Sequence, residues 1–119
     1  MTRYPITTGL QTVTATGPVT GTLSTAALNI ATLFLDVTGL TSGSCRISIE
    51  DSATGAFADA LPVKVWHFVA GANNEGINVS ANLDEIPNLR SGAAGNALRV
   101  NVLSLPSGAT LNLAATAAA

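Results

Sequence analysis

The sequence predicts an all-β fold: a single-domain antiparallel β-sandwich, Ig-like or jelly-roll, of about seven to eight short strands. Three observations lead there. Apolar and polar residues alternate with a period of two along most of the chain, which puts every second side chain on the same sheet face. Clusters of Gly, Pro, Asn and Ser break this alternation about every 8 to 12 residues, the spacing of strands joined by turns. Finally, the 119 residues are 47% hydrophobic but only 4% aromatic and 10% charged. The apolar content is therefore Ala, Val, Leu and Ile diluted with Thr, Ser and Asn. A chain of this length folds as one domain, 1–119, around a core that needs no staples.

Each element follows from its local pattern. Residues 1–10 are polar and contain Pro5 and Gly9, so an extended N-terminal arm that orders on binding is expected there. Two Thr/Val-rich pieces, 11–15 and 19–23, flank Gly17-Pro18, a turn pair. Residues 24–29 suit at most one helical turn, with Ser24 as its N-cap. In 32–38, Leu33, Leu35 and Val37 share one face, while Phe34 and Asp36 share the other. Residues 39–44 read as a loop.

The stretch 45–51 sets Cys45, Ile47 and Ile49 against Arg46, Ser48 and Glu50, a half-buried strand. The strongest strand signal is 61–70. There Val63, Val65, His67 and Val69 face one way and Lys64, Trp66 and Phe68 the other, so both faces carry bulk. Ile77, Val79 and Ala81 mark a shorter strand. Pro87 confines any extended piece at 86–89 to an edge. Residues 97–103 and 110–115 are expected to pair as a hairpin across Pro106-Ser107-Gly108. The end, 114–119, reads as a flexible Ala-rich tail or an arm laid on a partner.

Composition narrows the function. A net charge of -2 lacks the basic stripe that a nucleic-acid binder needs, and no apolar run reaches the length that spans a bilayer. The N-terminus carries no apolar core or cleavage site of a secretory signal, so synthesis in a cytoplasm without processing is expected. So few charges on so small a protein imply that much of its surface faces other protein.

No catalytic, cofactor or metal site is expected. The single histidine, His67, falls on the apolar face of its strand without an orienting carboxylate in sequence, and no Gly-x-Ser-x-Gly elbow exists. The single cysteine, Cys45, leads an alternating strand and reads as a small buried hydrophobe. One His and one Cys cannot complete a zinc site. The acidic pairs Glu50-Asp51 and Asp84-Glu85 lack the calcium-loop spacing. Asn78-Val79-Ser80 matches a glycosylation sequon, read as chance in a chain without a secretion signal. The Ser-Gly-Ala-Ala-Gly-Asn run at 91–96 has no following Lys-Ser/Thr and precedes a strand, so it is a plain loop. Trp66 and Phe68 on one strand face form the one aromatic pair that sugars or a protein partner could use.

Residues 45–60, Cys-Arg-Ile-Ser-Ile-Glu-Asp-Ser-Ala-Thr-Gly-Ala-Phe-Ala-Asp-Ala, resemble a pattern in small virion proteins of tailed bacteriophages. In those, a strand ending in an acidic-Asp-Ser turn is followed by Gly, then Phe and a small polar pair. Leu89-Arg90, and Ala97 to Val102 followed by Pro-Ser-Gly, are similar to their closing strands; Thr54 departs from the acid usual before the Gly. The resemblance implies a non-enzymatic capsid decoration (cement) protein. Such a protein would be made in the host cytoplasm and would sit on the capsid outer surface as a dimer or trimer bound to major capsid protein. Trp66, Phe68, Tyr4 and Ile6 are the expected partner contacts. The alternatives are a carbohydrate-binding sandwich module, or another virion part such as a head fibre base, connector or tail protein.

Overall fold

The computed structural model describes residues 3–24, 28–71, 75–83 and 97–118. Among these there is no helix and there are ten strands. They are β1 (Arg3–Pro5), β2 (Gln11–Val13), β3 (Gly17–Pro18), β4 (Leu23–Ser24), β5 (Ile30–Thr38), β6 (Ser44–Ser52), β7 (Leu61–Val69), β8 (Ile77–Asn82), β9 (Ala97–Ser104) and β10 (Thr110–Ala118). One sheet runs β1/β2–β10–β5–β8, with β1 and β2 following one another along the same edge of β10. The other runs β3/β4–β9–β6–β7, with β3 and β4 sharing an edge of β9. Every pairing is antiparallel.

The order has a simple origin. The first half of the chain pairs with the second half in reverse: β1/β2 with β10, β3/β4 with β9, β5 with β8, and β6 with β7. This is one long hairpin whose tip is the segment between β6 and β7. Rolling it up adds the two remaining contacts, β10 with β5 and β9 with β6. The product is a jelly-roll sandwich, which decides between the two architectures the sequence leaves open.

Between the sheets lies one apolar cluster. Ala31, Leu33, Leu35 and Val37 of β5 and Leu111, Leu113, Ala115 and Ala117 of β10 face Cys45, Ile47 and Ile49 of β6 and Leu98, Val100 and Val102 of β9. Phe68, Ile6, Val19 and Leu83 close its margins. Fully burying each of the larger side chains is worth ~1.5–3 kcal/mol. Alternation of burial along β5, and along β10 as far as Ala117, shows that their period-two pattern sets which face is inside.

Four expectations change. The tail at 114–119 is, through Ala118, part of β10, which is paired on both sides: Ala115 lies opposite Leu33, and Ala117 lies between Ala31 and Tyr4. Its alternation simply continues that of Leu111 and Leu113, with Ala supplying the small inward side chains. The N-terminal arm is strand rather than arm. β1 pairs with β10, Ile6 is buried in the core, and the Ile6 and Thr7 amides both donate to the Ala115 carbonyl. Backbone pairing holds this polar segment, and side-chain composition does not report it.

Gly17-Pro18 is no turn but edge strand β3, opposite Val102 and Asn101, a position where proline's missing N–H is tolerated. Nor do β9 and β10 form a hairpin. The turn closed by the Ala109 amide on the Pro106 carbonyl (3.1 Å) carries the chain from one sheet to the other, because both strands must bury one face in the same gap. The expected extended piece at 86–89, the loop at 91–96 and Asp84-Glu85 lie outside the described residues, as does part of 24–29.

Gly21 is required for a close approach. It sits at φ +122°, and a Cβ there would lie 2.6 Å from both the Ile6 carbonyl oxygen and the Thr8 nitrogen. The entry to β4 can therefore pass against the β1–β2 connection only without a side chain.

Candidate functional site

Strand β6 is buried on both faces. Ser48, Glu50 and Ser52 alternate with the core residues and so face away from the other sheet, yet they too are buried. Ser48 Oγ donates to the Asn101 carbonyl (3.4 Å), and past Ser52 the segment 53–60 is folded back by a knot of hydrogen bonds around Asp59. Ser52 Oγ donates to Asp59 Oδ1 (2.6 Å) and accepts from the Gly55 and Phe57 amides (3.0 and 3.2 Å). Thr54 Oγ1 donates to Asp59 Oδ1 (3.0 Å), and the Ala53 amide donates to Oδ2 (3.0 Å). The Ser52 bond, helped by Thr54 and the backbone amides and opposed by burial, holds the Asp59 carboxyl below its ordinary value.

Gly55 at φ +77° and Phe57 at φ +63° make the reversal. A left-handed aromatic residue is uncommon and is held here by what it touches. The Phe57 ring lies 4.4 Å from the Arg99 guanidinium carbon, a cation–π contact. Arg99 Nε in turn donates to Glu50 Oε1 (2.8 Å), and Asn101 Nδ2 donates to Glu50 Oε2 (3.1 Å). Thus Glu50, Arg99, Asn101, Phe57, Ser52 and Asp59 form one clasp across β6 and β9. Most of its polar groups are used on each other, which makes it a fastening; among the described residues Asn101 Oδ1 is buried without a hydrogen-bond partner. The sequence shows the Gly55 and Phe57 signals but not the Glu50–Arg99 pair, because the β6–β9 pairing is non-local.

Two of the expected contact residues lie where a partner cannot reach them: Ile6 is 1% and Phe68 8% exposed, both in the core. Trp66, opposite Ile47, is half-buried and packs against the same cluster. The Trp66–Phe68 pair therefore belongs to the sandwich interior and is not an exposed stacking platform. The face assignment along this strand holds, but the bulky aromatic side is the inside. Tyr4 is 45% exposed, on β1 at the sheet edge. Cys45 is buried, and desolvation, partly offset by a backbone hydrogen bond, raises its thiol pKa. His67 is exposed on the outer face opposite Arg46. Six residues of β6, about 20 Å, separate Arg46 from the Ser52–Asp59 pair, so the histidine and that Ser–Asp pair are not brought together. Among the described residues no three His, Cys, Asp or Glu side chains converge on a metal position.

What the architecture does present is a sheet edge. Most edge strands are short or broken: three residues each in β1 and β2, two each in β3 and β4, six in β8. β7 has nine, and among the described residues it pairs only with β6. A bulge opposite Ile49–Glu50 interrupts its register, past which Val65, Trp66, His67 and Phe68 run in regular pairing.

The Ala70 amide donates to the Gly43 carbonyl (3.1 Å), at the continuation of the β6–β7 ladder. In an antiparallel ladder alternate residues point both backbone groups at the same neighbour. Phe68, Trp66 and Lys64 therefore bond to β6, and Val65 and His67 turn their N–H and C=O groups to the side away from β6. Compared with protein-family models and with curated protein sequences, the chain matches none.

Proposed function

We propose that this chain is a non-enzymatic structural protein of a phage particle, which decorates the capsid and stabilises it by binding major capsid protein subunits. The observation that carries the reading is β7, the longest edge strand among the described residues. Natural sheets shorten, bend or cover their edges; among the described residues β7 is the longest edge strand, with a bulge and Pro62 near its start and a regular stretch from Lys64 to Val69 whose last residue is exposed. Such an edge joins another chain by backbone hydrogen bonds. Low charge over the remaining surface favours broad contact with protein. The clasp at 53–60 supports the reading in a second way, since the stretch resembling phage virion proteins works as a fastening in the fold. Jelly-roll architecture serves viral capsid and lectin domains alike, so the fold itself adds only weakly.

Quantitative mass spectrometry of purified virus particles from the source tests this. A ratio to the major shell protein near one, or a simple fraction such as one third, is expected of a protein on symmetric capsid sites. A dozen copies or fewer per particle would move it to a connector or fibre, and its absence from particles would overturn the virion reading.

A further inference from the structure

The outer face of the β1/β2–β10–β5–β8 sheet holds an aromatic ring that neither the core nor the clasp uses. Phe34 alternates with the core residues Leu33 and Leu35, so it points outward, and it is half-buried. Directly opposite it are Ala114 on β10, too small to cover it, and Asn78 on β8, which is exposed. The next outward row on one side is Thr12, Asn112 and Asp36; on the other it is Thr116, Thr32 and Ser80. Each row runs ~6.8 Å from that of the ring, the span of two residues along a strand.

Both rows keep hydrogen-bonding capacity. Among the described residues Asp36 uses only Oδ1, on the Gly76 amide, and Asn112 only Oδ1, which accepts from Thr12 Oγ1 (2.9 Å). The side chains of Asn78 and Ser80 make no hydrogen bond to described residues. Thr32 and Thr116 each accept from Arg3 Nη1 (3.4 Å), and their hydroxyl hydrogens remain free to donate. Carboxylate, amide and hydroxyl groups thus flank one ring on a face whose margins, at Arg3, Thr12, Asn78 and Ser80, are exposed.

From this we infer that the face binds a neutral polysaccharide, as a ribbon of β-1,4-linked hexopyranose units with its C–H surface on Phe34 and Ala114 and the hydroxyls of its two edges on the flanking rows. A pyranose needs both kinds of partner: an aromatic surface for its C–H groups, and polar or charged groups for hydroxyls that donate and accept. The face measures about 14 Å across four strands and about 27 Å along β10, roughly half of the ~800 Å² that each partner gives to a standard protein interface. Its centre has a single large apolar side chain, where a protein-binding centre gathers several. Arg3 and Asp36, of opposite sign, are the only charged residues at its register positions, which favours an uncharged chain. A β-1,4 linkage keeps successive rings in one plane, as a sheet face without a cleft requires; an α-1,4 linkage curls the chain away. The site is on the sheet that does not contain β7, and it does not rest on the capsid reading.

The test titrates the full-length chain with cellopentaose, chitopentaose and maltopentaose, read by NMR at the Phe34 ring and at the Asn78 and Asn112 side-chain amides. Saturable shifts of these groups are expected with cellopentaose or chitopentaose and none with the α-linked maltopentaose. An open face holds less of a ligand than a cleft does, so the expected Kd is about 1 mM. Phe34→Ala should weaken binding about tenfold. Asn78→Ala, at an exposed position of β8, should weaken it about threefold and leave Tm unchanged, so a folding defect in the Phe34 variant does not decide the outcome.

No saturable shift with either β-linked sugar, equal binding of maltopentaose, or unchanged affinity of Asn78→Ala or of a folded Phe34→Ala would overturn the inference. So would concentration-dependent shifts of the same groups in the chain alone, which would make the face a contact between copies. Because the titration needs no particle, its failure stands apart from failure of the particle count.

Discussion

Truncating Ile6 decides whether the first ten residues are an arm or a strand. Its side chain is 1% exposed and belongs to the inter-sheet cluster. Ile6→Ala removes three carbons, about 2.4 kcal/mol at ~0.8 kcal/mol per buried methylene. The hole left between sheets that cannot fully collapse raises this to about 3–4 kcal/mol. The surroundings resist collapse because the backbone on both sides is pinned. The Ile6 amide donates to Ala115 O (2.8 Å), and Thr7 Oγ1 accepts from the Ala115 amide (3.1 Å) while donating to Gly9 O (2.8 Å). For a chain of this length the loss corresponds to a fall in Tm of about 12–16 °C. Urea unfolding should show a lower midpoint at an unchanged slope. Leu10→Ala, in the same segment but 63% exposed, should stay within ~0.5 kcal/mol of the parent. If Ile6→Ala costs no more than Leu10→Ala, the segment is not part of the core and the packing argument fails.

Three further outcomes are expected. Gly21→Ala puts a Cβ against the Ile6 carbonyl and the Thr8 nitrogen at a positive φ, and should cost ~2–4 kcal/mol by urea unfolding; a loss under ~0.5 kcal/mol would show that the two segments do not touch. Asp59, with its folded carboxyl below the ordinary value of 3.8, contributes stability that is fully present above that value and lost as pH falls through its lower folded value. Asp59→Asn should therefore destabilise at pH 7 and lose less than the parent on going to pH 2, and parallel pH profiles of the two would contradict this. The Cys45 thiol, buried and kept protonated by desolvation, should react with an aromatic disulfide only on unfolding; a fast reaction in native buffer would place it outside the core.

The long strands were legible because one-sided burial writes itself into alternation. Leu33, Leu35 and Val37, and Cys45, Ile47 and Ile49, are read from the sequence and buried in the fold. The N-terminal strands were not legible. Two- and three-residue strands carry too few positions to show a period, and their partners lie 73 to 115 residues away along the chain, from Ser24–Ala97 to Arg3–Ala118. The Ala-rich β10 failed for a related reason: Ala marks neither inside nor outside, so only its continuity with Leu111 and Leu113 gives its register. For the candidate site, the alternation supplied the 61–70 strand, while Gly55 and Phe57 stood out only as the Gly and Phe of the stretch similar to phage virion proteins. The sequence reading misjudged Phe68 and Ile6 because a large apolar residue reads alike whether it faces a partner or the chain's own core.

That last ambiguity explains why the backbone of β7, rather than its aromatic side chains, marks the candidate contact surface. Trp66 and Phe68 face inward because they lie opposite Ile47 and Cys45, whose side chains point into the core. The same parity that buries them directs their own amides to β6. Val65 and His67, of the opposite parity, turn a half-buried and an exposed side chain to the outer face and point their backbone groups away from β6. One ladder parity thus fixes which residues hold the sandwich together and which can bind. A substitution test must follow it: Trp66→Ala reports mainly on stability, whereas Val65→Pro reports on the edge. If Trp66→Ala left stability within ~0.5 kcal/mol of the parent while removing attachment to particles, the parity would be inverted and the binding surface would be the aromatic one.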